Sequence, residues 1–141
     1  MIKSFRDLDV YQNSYKACLT VMQEIVPKLP QSEKFDLGDQ LSRSCKAVPR
    51  LIAEGYAKKH QKFGFQKYLD DAMAESNETI VGIEQCKDIY KINPALCDSL
   101  IDTYDKISRQ LYNLSEAWDK FKVKGRDTKP LNDTSRETET V

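Results

Sequence analysis

The sequence predicts an all-α protein, an up-down-up-down antiparallel four-helix bundle with a kinked second helix. Apolar residues recur at three- and four-residue steps over four long segments. The segments are parted by short stretches carrying proline, glycine or a capping side chain, and no strand-like alternation bounded by turn residues competes with them. Four amphipathic helices on short connections pack antiparallel to their chain neighbours. At 141 residues the chain is the size of one domain, since domains run to about 100–200 residues. No internal repeat indicates a solenoid.

The first helix is read from Leu8, Tyr11, Tyr15, Cys18, Leu19, Met22, Ile25 and Val26, and Pro27 and Pro30 close it. Ser32 is the N-cap expected for the second, whose stripe is Phe35, Leu37, Leu41, Cys45, Val48, Ile52 and Tyr56. Pro49 removes a backbone donor and crowds the carbonyl four residues earlier, so a kink is expected near Cys45–Pro49, with helix continuing to Gly55. The third helix is expected from His60, with Phe63, Leu69, Met73, Ser76, Ile80, Ile83 and Ile89 or Tyr90 on one side. Asn93-Pro94 places a capping side chain before a proline at the first helical position of the fourth. Its stripe runs from Leu96 or Cys97 through Leu100, Ile101, Tyr104, Ile107, Leu111, Leu114 and Trp118 to Phe121. The bundle is therefore assigned to residues 1–121, and the polar segment 122–141 to a disordered C-terminal tail.

Charge excludes some classes of function. The 22 basic and 22 acidic residues cancel, so the chain is neither uniformly basic nor a self-repelling acidic coil. The N-terminus lacks the apolar stretch of a signal peptide, and nowhere do about 18 apolar residues run together to span a bilayer. The expected location is the cytoplasm. Cys18, Cys45, Cys86 and Cys97 lie 27, 41 and 11 residues apart, without a CxxC and with one histidine in the chain, which argues against a metal site. They read as small buried thiols, with a redox or disulfide role as the alternative.

Zero net charge conceals two blocks. From Arg43 to Lys67, seven bases (Arg43, Lys46, Arg50, Lys58, Lys59, Lys62, Lys67) face one acid, Glu54, for a net +6. From Tyr68 to Lys106, nine acids face three bases, for a net −6. The Lys58-Lys59-His60-Gln61-Lys62 run is read at the start of the third helix, where the dipole disfavours cations and a bound phosphate would relieve the conflict. The competing reading is a solvated turn of mutually repelling lysines. Tyr56, Phe63, Phe65 and Tyr68 lie beside these bases, as in a surface that stacks nucleobases next to phosphate-binding lysines. At helical spacing such aromatics are also core residues, although Phe63 and Phe65 cannot both face one core.

The residues resemble a family, the four-helix-bundle proteins encoded in intervening sequences of bacterial 23S ribosomal RNA genes. Phe5-Arg6-Asp7-Leu8-Asp9-Val10-Tyr11 resembles its F-x-D-L-x-V-[WY] start, and Gln40-Leu41-Ser42-Arg43-Ser44-Cys45 its Q-L-x-R-A-x segment. Val48-Pro49-Arg50-Leu51-Ile52-Ala53-Glu54-Gly55-Tyr56 resembles its I-P-x-N-I-A-E-G-Y signature, with Leu51 in place of asparagine. Phe65-x-x-Tyr68-Leu69 and Ala74-Glu75-Ser76-Asn77-Glu78 sit where the family has F-x-x-F-L and G-S-x-x-E. The resemblance spans about residues 5–121. It implies a four-helix protomer assembling into a ring-like homopentamer, with RNA the leading partner. More distantly the chain is similar to accessory proteins of diversity-generating retroelements, which are associated with nucleic acid.

Residue patterns for catalysis are few. His60 has no local carboxylate partner, and the chain lacks H-E-x-x-H, E-x-x-H pairs, a Gly-rich phosphate loop and G-x-S-x-G. The expectation is a protein that is not an enzyme and uses no cofactor or metal. Within the signature Pro49, Ile52, Ala53, Glu54, Gly55, Tyr56, and with Glu78, structural roles are expected: Glu54 and Glu78 pairing with Arg43 or Arg50, Gly55 ending the second helix in a left-handed conformation, Pro49 setting its bend. Trp118 reads as a core-capping aromatic rather than a binding anchor. The candidate nucleic-acid-binding residues are Arg43, Lys46, Arg50, Lys58, Lys59, His60, Lys62 and Lys67. The alternative is an interaction scaffold whose basic and acidic blocks pair across subunits, or with a protein partner, without nucleic acid.

Overall fold

The computed structural model describes residues 1–125, with side chains as far as Trp118. Among these residues the chain is helical throughout: α1 (Asp9–Thr20), α2 (Leu37–Ala57), α3 (Gly64–Tyr90) and α4 (Pro94–Gly125). The seams run α1–α2, α2–α3, α3–α4 and α4–α1, which closes the four helices into a bundle. α2–α3 and α3–α4 are the extensive seams, and α1 is the more lightly seated member. No helix of the described residues is long and apolar enough to cross a membrane.

Local chemistry starts each element. A 3₁₀ turn, Phe5–Asp7, precedes α1 and is boxed by side chains: the Arg6 amide donates to Ser4 Oγ (3.0 Å), and the Lys3 and Ser4 amides donate to Asp7 Oδ2 (2.7 and 3.1 Å). Those amides hold the Asp7 carboxyl below its ordinary pKa. α1 turns its small residues inward: Ser14, Ala17 and Cys18 are buried beside Val10, while Tyr15 and Leu19 face solvent. Of the expected stripe, Leu8, Cys18 and Ile25 are buried, whereas Ser14 and Ala17 are inner residues outside it. Small ones let the helix approach its neighbours closely, and bulk alone does not define the inner face. A π-helical turn, Val21–Ile25, and a 3₁₀ turn, Val26–Lys28, finish the segment around Pro27.

α2 begins at Leu37, not at Ser32. Pro30 leads instead into a 3₁₀ turn, Gln31–Glu33, that contains Ser32. Glu33 Oε1 then accepts from the Leu37 amide (3.2 Å), and its other oxygen accepts from the Tyr90 hydroxyl. One carboxylate thus caps α2 and ties it to the end of α3. Phe35, expected in the core, is 86% exposed with Lys34 over its ring. From Leu37 onward the expected stripe holds: Leu41, Cys45, Val48 and Ile52 are buried, with Pro49 buried inside the same helix.

α3 begins at Gly64, four residues after His60, and buries Phe65, Leu69, Ala72, Ile83 and Cys86. Ile89 is 60% exposed and Tyr90 half-buried. Gly82 lets α2 come close, for a Cβ there would stand 3.0 Å from Leu41 Cδ1. α4 starts as the Asn93-Pro94 pair requires, with Asn93 Oδ1 accepting from the Leu96 amide (3.3 Å). Cys97, Leu100, Tyr104, Ile107 and Leu111 are buried along it. Each fully buried side chain of this size contributes about 1.5–3 kcal/mol. α4 runs on to Gly125, past the expected boundary at residue 121; the rest of the segment assigned to a tail lies outside the described residues.

Hydroxyls cross the apolar seams. Thr79 Oγ1 lies 2.9 Å from Ser44 Oγ between α3 and α2, and Ser76 Oγ lies 2.8 Å from Ser108 Oγ between α3 and α4. The α1–α4 seam differs: an open groove of about 460 Å³ lined by Asn13, Lys16, Thr20, Ser99 and Thr103, crossed by a hydrogen bond from Asn13 Nδ2 to Gln110 Oε1 (3.2 Å).

Candidate nucleic-acid interface

Three exposed bases of α2, Arg43, Lys46 and Arg50, are spaced by three and four residues, so they share one helix face. Arg43 Nε stands 3.8 Å from Asp39 Oδ2, one turn earlier. Both side chains are mostly exposed (78% and 52%), so the pair contributes at most a few tenths of a kcal/mol. Lys58 caps the end of α2. Lys59, His60 and Lys62 occupy the turn, and Lys67 lies in the first turn of α3.

This placement corrects the electrostatic expectation. The lysine run follows the C-terminal end of α2, where cations are favoured, and α3 starts only at Gly64. The dipole conflict at Lys58 and Lys59 therefore disappears, and it remains for Lys67 in the first turn of α3.

Aromatic rings seat these cations instead. Lys58 Nζ donates to Tyr68 Oη (2.8 Å) and lies 5.1 Å from that ring's centroid. Lys59 Nζ lies 4.1 Å over Tyr56, and Lys62 Nζ 5.5 Å over Phe63. Such contacts hold an ammonium in place without neutralising it. The hydrogen bond to Tyr68 leads the effects that raise the Lys58 pKa, with the Glu54 charge a smaller contribution. Lys58, Lys62, Lys67 and Tyr68 border an open groove of about 540 Å³, which Asp70 and Asp71 share.

The turn is built tightly. Its amides at Lys58, Gln61 and Gly64 donate to the carbonyls of Gly55, Lys58 and Gln61 at 3.0 Å each. A Cβ at Gly64 would fall 2.1 Å from the Lys58 carbonyl oxygen, so the position demands glycine. Phe63 just before it adopts φ 56°, the left-handed region that bulky residues avoid. Its half-buried ring lies beneath Lys62, whereas Phe65 is fully buried, so the two phenylalanines divide as their spacing requires.

The signature residues act behind this surface. Gly55 lies inside α2, buried, and no glycine of the described residues has a positive φ, so the expected left-handed helix end is corrected. Its role is close approach: a Cβ would stand 2.6 Å from Tyr68 Cβ and 3.0 Å from Phe65 Cδ1. Tyr56 meets Phe65 edge-on at 5.9 Å, and Phe65 meets Trp118 edge-on at 4.9 Å, so the ends of α2, α3 and α4 join through three rings. Pro49 and Ile52 are buried, and Ala53 half-buried. Among the described residues, Glu54 and Glu78 pair with neither Arg43 nor Arg50. Both are exposed, and Glu78 borders an α2–α3 groove with Leu37 and Val81. The roles of Gly64 and Gly82 escaped sequence reasoning. The Phe-Gly-Phe tripeptide was the available signal for the first.

The described residues hold no cluster of three metal-ligating side chains. A comparison with curated proteins returns no match. The family model described as 23S rRNA-intervening sequence protein matches residues 6–113, which include the whole basic block and its turn. The chain therefore belongs to the 23S rRNA-intervening sequence protein family.

Proposed function

We propose that the protein is a non-enzymatic, oligomeric, cytoplasmic RNA-binding protein that grips RNA phosphates with the α2–α3 turn and the basic face of α2. One observation carries the reading: Lys58, Lys59 and Lys62 gather in one tightly built turn, seated on aromatic rings that hold their charge in position. Lys67 adds a fourth cation at the start of α3, and Arg43, Lys46 and Arg50 extend the charge along α2. RNA is the polyanion chosen by analogy with the family, whose name refers to 23S rRNA. Assembly into a ring, implied by the same resemblance, would repeat the basic surface on every protomer.

A second reading has an observation of its own. Asp70 and Asp71 line the same groove as Lys58 and Lys67, so the groove carries both signs of charge. A protein surface of mixed charge, including a second copy of this chain, would complement it, making the protein a scaffold.

The two readings separate in one titration. Binding of a structured RNA is measured between about 50 and 200 mM salt for the wild type and for Lys58→Ala/Lys62→Ala/Lys67→Ala, with light scattering on both. RNA binding predicts a weaker variant whose log–log salt slope is smaller by roughly one for each lysine that neutralised a phosphate. An unchanged slope, or no binding by the wild type near 50 mM, refutes it. Loss of assembly in the variant supports the scaffold.

A further inference from the structure

We propose that Cys18 and Cys45 form a peroxide-reactive dithiol site that closes into a disulfide joining α1 to α2 within one protomer. The two sulfurs stand 3.7 Å apart, on different helices, from residues 27 positions apart in the chain. Both thiols are free in this structure, and both belong to the core: Cys18 is 8% exposed and Cys45 fully buried. Cys18 Sγ donates to Cys45 Sγ, whose own proton goes to the Ser42 carbonyl (3.5 Å), which orients it beside Cys18. Of the other two thiols, Cys97 donates to the Ile92 carbonyl (3.2 Å).

The surroundings assign roles to the two sulfurs. Once Cys18 loses its proton, the Cys45 thiol can turn from the Ser42 carbonyl to donate to the Cys18 thiolate, and the Lys46 charge favours it further; together these outweigh burial and lower the Cys18 pKa. The same hydrogen bond, with burial, raises that of Cys45. Cys18 is thus the sulfur that reacts first, and it is the one with a residue of exposure. The Tyr104 hydroxyl lies in the same part of the core without a hydrogen-bond partner among the described residues, and both thiols add to the burial that raises its pKa.

The chemistry balances with hydrogen peroxide as oxidant. The Cys18 thiolate attacks one peroxide oxygen; an S–O bond forms, the O–O bond breaks, and the product is a sulfenic acid with hydroxide leaving as water after protonation. Cys45, losing its proton, then attacks the Cys18 sulfur. The S–S bond forms, the S–O bond breaks, and a second water leaves. Two thiols have lost two protons and two electrons, and one peroxide has become two waters. The sulfurs must close to about 2 Å, a displacement that the lightly seated α1 can supply.

The test uses the full-length protein, reduced, exposed to hydrogen peroxide under native conditions, alkylated and mapped without reduction. The expected result is a chain lighter by two hydrogens, a fall from four alkylatable thiols to two, and a peptide linking Cys18 to Cys45, all reversed by dithiothreitol. Cys86→Ser/Cys97→Ser should retain that link. Cys18→Ser should lose it while keeping the helical signal of the fold. A Cys86–Cys97 link, a link between chains, four surviving thiols, or a Cys18–Cys45 link that forms only in denaturant each overturns the proposal.

Discussion

At the scale of single residues, the candidate interface depends on two side chains that are missing. Gly55 lets the Tyr68 and Phe65 side chains rest against the α2 backbone, and Gly64 lets the turn close on the Lys58 carbonyl. Replacing Gly55 with alanine would force a methyl group to within 2.6 Å of Tyr68 Cβ, an atom bonded to the backbone that cannot swing away. Gly55→Ala should therefore destabilise the fold by about 1–3 kcal/mol despite alanine's better helix propensity, and chemical denaturation would show it as a lower midpoint. Since Tyr68 also seats Lys58, the variant should weaken RNA binding as well. Gly55 was legible in the sequence as a position under constraint, but the constraint was assigned to the backbone. Glycine after a helical run usually signals a left-handed cap, and only the approach of α3 reveals the other reason.

Among the elements, those fixed by neighbouring residues were the readable ones. α4 needed only the Asn93-Pro94 start and its regular apolar stripe, and both stand as read as far as Trp118, the side chain of Phe121 lying outside the described residues. α2 from Leu37 onward, through Pro49, was equally plain. Its start was not, because the capping carboxylate comes from Glu33 and is held by Tyr90, 57 residues later. No local pattern contains that contact. Glu33→Ala would leave the Leu37 amide and the Tyr90 hydroxyl without their acceptor, and should cost about 1–2 kcal/mol, measurable by thermal or urea unfolding. Amide exchange at Leu37 should quicken in the same variant. The start of α3 was misplaced for a related reason: the lysine run satisfies its amides within a turn, and the chain resumes helix only after Phe63 has reversed it. Those four residues move Lys58 and Lys59 from the start of α3 to the end of α2, which changes the electrostatic setting of both.

For the whole molecule, the cancelling charge blocks meet at the α2–α3 groove, where Asp70 and Asp71 stand beside Lys58 and Lys67. The acidic block crowds its own members. Burial first, then the Glu78 and Asp71 charges, raise the Glu75 pKa. A carboxyl whose folded pKa lies above its unfolded value favours the fold while protonated, and that contribution is lost as pH rises through the folded pKa. At neutral pH the ionised Glu75 therefore opposes folding. Glu75→Gln should raise the urea midpoint at pH 7 and lose its advantage over the wild type as acid protonates Glu75, an ordering that paired unfolding curves would test.

Unequal seams also give the bundle a direction of failure. α2, α3 and α4 share broad apolar seams stitched by hydroxyl pairs, whereas α1 faces α4 across an open groove crossed by the Asn13–Gln110 hydrogen bond. The molecule should therefore open like a door on the α2 side, with α1 as the leaf and the α2–α3–α4 unit as the frame, and the basic turn belongs wholly to the frame.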